Sequence, residues 1–74
     1  MNEITYLVPL DLAPMEKDYG YNINVDNERN EVVIRTNNFN DTHFHLTYLQ
    51  KIADLRDAKF KISQEGQTTK ITFS

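Results

Sequence analysis

Cysteine is absent from this 74-residue chain, so it carries no disulfide framework, no thiolate metal site and no thiol nucleophile. That excludes a disulfide-dense secreted mini-protein and makes a cytoplasmic setting the expectation. Glycine occurs only at Gly20 and Gly66, each isolated, which leaves no loop to cradle a phosphate. Serine is confined to Ser63 and Ser74, neither in a strand-to-helix elbow, so nucleophilic catalysis has no motif. No apolar run approaches the roughly 18 residues of a membrane span, and residues 1–10 lack the basic start and continuous apolar stretch of an export signal. No membrane partner is expected.

What is present suits a folded domain. Hydrophobic residues make up 39% of the chain and charged residues 26%, enough for a core and a solvated surface in one domain spanning residues 1–74. A core of this size rarely supplies more than about 3–5 kcal/mol of net stability, which makes self-association relevant from the outset.

The clearest pattern is C-terminal. Ala58, Phe60 and Ile62 alternate with Lys59, Lys61 and Ser63, and Thr69, Ile71 and Phe73 alternate with Lys70 and Thr72. Both stretches read as strands with one apolar face. A tight turn at Glu65-Gly66 sets Ile62 opposite Thr69, Phe60 opposite Ile71 and Ala58 opposite Phe73, and it brings Lys61 against Lys70. A second hairpin begins with Tyr19, Tyr21, Ile23 and Val25, turns at residues 27–30 and returns through Val32, Ile34 and Thr36. Its register pairs Asp26 with Glu31, Val25 with Val32, Ile23 with Ile34 and Tyr21 with Thr36. Residues 3–8, with Ile4, Tyr6 and Val8 on one face and Leu7 on the other, predict a further strand.

Between the hairpins, Asn40 or Asp41 can cap a helix reaching Arg56 or Asp57, with His45, Tyr48, Leu49, Ile52 and Leu55 as its apolar stripe. Residues 9–18 read as an irregular connection, because Pro9 and Pro14 exclude a central strand while Leu10, Leu12 and Met15 are too apolar for a solvated loop. The expected fold is therefore α+β: an antiparallel sheet of about five strands in the order β-ββ-α-ββ, with one helix across one face. The open face would carry Asn22, Asn24, Val33, Arg35, Lys59, Lys61, Ser63, Lys70 and Thr72.

Charge is divided along the chain. Residues 1–34 hold seven acids and two bases, while residues 35–74 hold six bases and four acids. Arg35, Lys59, Lys61 and Lys70 on one sheet face form a candidate anion or nucleic-acid surface, although lysines on an exposed strand also serve simply to prevent edge aggregation. Tyr6, Tyr21 and Tyr48 are assigned to core faces, away from these cations, so no base-stacking platform is expected.

Chemistry at single sites is sparse. His43 and His45, two apart on a helix, point in nearly opposite directions and cannot chelate one ion, so neither a metal nor a cofactor is expected. Asp26, Glu28 and Glu31 lack the spacing and central glycine of a calcium loop. A ligand pocket of roughly 300 Å³ is hard to reconcile with so small a core. These points favour a non-enzymatic protein-binding module, for example an inhibitor or adaptor of a larger host complex. Its candidate contact residues are Leu10, Leu12 and Met15, with Asp11, Glu16 and Asp18 as a charged rim, the alternative being that the three apolar residues close one end of the core. A nucleic-acid binder and a structural homodimer are the alternatives. Eight asparagines, small size and mild acidity suit a phage-like or mobile-element protein on composition alone.

Overall fold

The computed structural model describes residues 3–37 and 42–74, with 42–45 described by backbone alone. The fold is α+β, with two helices and a four-stranded antiparallel sheet. The elements run α1 (Ile4–Tyr19), β1 (Asn22–Asp26), β2 (Glu31–Thr36), α2 (Thr42–Leu55), β3 (Phe60–Glu65) and β4 (Thr68–Phe73). The sheet order is β1-β2-β4-β3, which puts the two hairpins side by side with β2 and β4 at the centre.

The largest departure from expectation is at the N-terminus, where one helix replaces both the strand over residues 3–8 and the connection over residues 9–18. Ile4, Val8, Leu12 and Met15 recur at helical spacing and are buried. Pro9 and Pro14 both lie inside α1, and an interior proline costs about 3 kcal/mol because it lacks an N–H and crowds the preceding turn. The two prolines together cost about 6 kcal/mol, and burial of four apolar side chains, at roughly 1.5–3 kcal/mol each, returns about 6–12 kcal/mol and offsets it. Gly20, at φ 61°, ends the helix in the left-handed conformation, and the Tyr21 N–H reaches back to the Glu16 carbonyl at 3.1 Å. Tyr19 and Gly20 therefore belong to the helix and its cap and not to the following strand.

The first hairpin has the expected register: Ile23 pairs with Ile34, Val25 with Val32 and Asp26 with Glu31. Its turn is held by Asp26, whose Oδ1 accepts the N–H groups of Glu28 and Arg29 at 3.1 Å each. The second hairpin is shifted by two residues. Ile62 faces Ile71, Phe60 faces Phe73, and the turn is Gly66-Gln67. Gly66 has φ 65° whereas Gln67 is not among the positive-φ residues, so glycine occupies the first central turn position, where a II′-type turn requires it. A two-residue shift keeps every side chain on its original face, so the hydrophobic pattern could not distinguish the registers. The expected Lys61–Lys70 contact is replaced by Lys61 opposite Thr72 and Ser63 opposite Lys70.

Helix α2 carries Leu49, Ile52 and Ala53 into the core, but Leu55 is 68% exposed, contrary to its place in the predicted stripe. The helix closes with Asp57 at φ 55° and an Ala58 N–H to Ala53 carbonyl bond of 2.8 Å, a Schellman closure made without glycine. The predicted cap at Asn40 or Asp41 and the side chains of His43 and His45 lie outside the described residues. The core joins both helices to the sheet face formed by Val32, Ile34, Ile71 and Phe73.

Candidate interaction surfaces

Helix α1 settles where the predicted contact residues lie. Leu12 and Met15 are in the core, so they are not available on the surface of the monomer. Leu10 is 56% exposed. Asp11 faces α2, where Arg56 clamps it bidentately, with Nε to Oδ2 at 2.7 Å and Nη2 to Oδ1 at 2.8 Å. This hydrogen bond pushes the guanidinium pKa up from its ordinary value, with desolvation opposing the shift. The Asp11 carbonyl also accepts the Tyr48 hydroxyl at 3.0 Å. Asp11 thus locks the two helices together, while Glu16 and Asp18 remain exposed.

The helical reading brings Tyr6 to the surface, 68% exposed, against the expectation that it packs in the core. Glu3, Tyr6, Leu10, Ala13 and Lys17 are all exposed, with Pro14 beside them. A helix that is apolar on both its buried and its outer side carries more hydrophobic surface than its own fold uses. No signal in an alternating strand pattern could have revealed this; the spacing of Tyr6, Leu10 and Ala13 is visible only once the segment is read as a helix.

The second surface is the uncovered side of the sheet. The registers place Arg35 beside Lys70 across β2 and β4, with Asn22 on the far side of Arg35 and Ser63 on the far side of Lys70. Lys61 lies one row along, and Lys59, whose backbone exchanges two 2.9 Å hydrogen bonds with Ser74, follows on the same side. The four predicted cations therefore share a face. Asp26 and Glu31 are on it too, as is Glu65, whose carboxylate meets Arg35 Nε at 3.2 Å and Lys70 Nζ at 4.0 Å. Glu65 thus offsets the Arg35–Lys70 repulsion across the central strands. Tyr6 is on the outer side of the helical layer, so it cannot supply stacking to these cations.

The molecule also carries two open concavities, the first of them bordering the open sheet face. A polar cleft of about 350 Å³ is lined by Gly20, Asn22, Arg35, Thr36, Asn37 and Thr68. A groove of about 560 Å³ runs between α2 and β3 past Leu46, Lys51, Asp54 and Phe60. Both exceed the volume expected of so small a domain, because they form at its surface and not within its core. Among the described residues no group of three or more His, Asp or Glu side chains is arranged to hold a metal ion, and no helix is long and apolar enough to cross a membrane. Neither a family model nor a curated protein nor a solved structure matches the chain.

Proposed function

We propose that this protein is a non-enzymatic protein-binding module whose contact surface is the outer face of α1. The observation that carries the reading is the exposure of Tyr6 and Leu10 on a helix whose opposite face already completes the core. An aromatic and an aliphatic anchor, one helical turn apart and flanked by Glu3 and Lys17, have the apolar centre and charged rim of a protein interface. Leu10 remains from the predicted contact set as an anchor, Tyr6 joins it, and Leu12 and Met15 support the helix from beneath. Site-specific photo-crosslinking tests the assignment in the native host. A crosslinker at position 10 should capture a protein, and one at position 61, on the open sheet face, should not. Capture from position 61 alone would move the contact surface to the sheet.

The shared face of Arg35, Lys59, Lys61 and Lys70 favours a second reading, nucleic-acid binding through the sheet. It is weakened by the three acids on that face, since phosphate affinity depends on uncompensated cations. Replacing Lys59, Lys61 and Lys70 together by Gln should abolish any such binding, which should also fall steeply with salt.

A further inference from the structure

Five exposed residues on the outer face of α1 and at its N-cap follow a pattern with its own symmetry, while Pro14, Glu16 and Asp18 are exposed beside it. Glu3, Tyr6, Leu10, Ala13 and Lys17 are spaced by three, four, three and four residues, the a/d repeat of a helix that pairs with another helix. Leu10 stands at the middle, seven residues from Glu3 and seven from Lys17, about 10 Å along the axis in each direction.

Resting on the reading of this face as the contact surface, we infer that its partner is a second copy of the chain, packed antiparallel about a twofold axis at Leu10. In that arrangement Leu10 meets Leu10 of the second copy. The bulky Tyr6 of each chain meets the small Ala13 and the adjoining Pro14 of the other, and Glu3 of each meets Lys17 of the other. A parallel arrangement would set Tyr6 on Tyr6, Glu3 on Glu3 and Lys17 on Lys17. Both size and charge therefore select the antiparallel, isologous contact. The seam spans only about four helical turns. The buried area then falls toward the lower limit for a specific complex, and the dimer is weak and concentration-dependent.

Sedimentation equilibrium of the full chain at low salt tests the inference. The wild type should dimerise with rising concentration, and Leu10→Asp should stay monomeric with unchanged thermal unfolding. Glu3→Lys and Lys17→Glu each turn both end contacts from attractive to repulsive, and each alone should weaken dimerisation about five- to tenfold. Mixed together, the two variants should form a heterodimer of wild-type affinity, because each lysine pair then faces a glutamate pair. The mixture contains the same folded variants measured singly, so recovery cannot come from changes in monomer stability near the helix ends or at Arg56, whose field Glu3 shares. A wild type that is monomeric throughout, self-association that survives Leu10→Asp, or a mixture without recovery would each overturn the inference. Should self-association be absent while crosslinking from position 10 still captures another protein, the contact surface stands and the second copy does not.

Discussion

Two leucines two residues apart in α1, and so on nearly opposite sides of it, should respond very differently to truncation. Leu12 is fully buried in the core cluster that joins α1 to the sheet, whereas Leu10 is 56% exposed. Alanine is the best helix former, so Leu→Ala has no adverse propensity effect at either site and the difference is tertiary. At Leu12 the lost burial and the residual cavity together cost about 2–5 kcal/mol. The upper half of that range is expected, because α1 is tied down by the Asp11–Arg56 clamp beside Leu12 and by the Gly20 cap, leaving little freedom to collapse into the void. A domain of this length and core size has a total stability of roughly 4–5 kcal/mol. A loss of about 4 kcal/mol then removes most of it and lowers Tm by roughly 16–32 °C. Leu10→Ala should stay within about 0.5 kcal/mol. Urea denaturation with an unchanged m-value, at a concentration low enough to keep the chain monomeric, measures both. Equal costs at the two positions would mean that α1 is rotated or is not a helix, and would remove the basis for its outer surface.

Burial, with Tyr19 and Tyr48 contributing, pushes the Tyr21 hydroxyl up to about 12 from its ordinary value near 10. The unfolded chain releases this proton first, so stability should be intact below pH 10 and fall by roughly 2–3 kcal/mol in total as pH rises through 12. Tyr21→Phe should lack that part of the alkaline loss, and parallel pH profiles for the two proteins would contradict it. Asp57→Gly should stabilise by about 0.5–1 kcal/mol in chemical denaturation, because it relieves a positive φ at a helix end and removes an acid opposed to the macrodipole. A loss of stability would instead reveal a structural role for the Asp57 carboxylate. Glu65→Gln frees Arg35 and Lys70 from their shared carboxylate, and the variant should elute from a phosphate-type cation exchanger at higher salt. Unchanged elution would show that Glu65 does not govern the charge of the sheet face.

The sheet was legible wherever one face is apolar and the other polar. Val32, Ile34, Ile71 and Phe73 define the buried side by alternation alone, and Asp26 and Glu31 bracket the first turn. The second register was not legible to the same depth. Alternation fixes parity, and the two-residue choice depends on which turn position Gly66 fills. Arg35, Lys59, Lys61 and Lys70 could be assigned to one face because parity is all that assignment needs. The clamp between Asp11 and Arg56 left no trace in the sequence, since it joins residues 45 apart whose encounter depends on how the two helices pack.

Helix α1 resisted reading for a reason that bears on what it does. A surface helix announces itself by being apolar on one side and polar on the other. Here Ile4, Val8, Leu12 and Met15 are covered by the protein, while Tyr6, Leu10 and Ala13 carry apolar character around to the outside, so the contrast disappears. Two prolines then lower the local helical preference further. The helix persists because its inner face is anchored to the sheet and to α2, which means that the outer apolar residues are not needed to hold it in place. Apolar side chains that their own fold does not bury gain hydrophobic stabilisation only by covering themselves with another surface. The property that hides the helix from a periodicity argument is therefore the one that makes its outer face the candidate for contact with a partner.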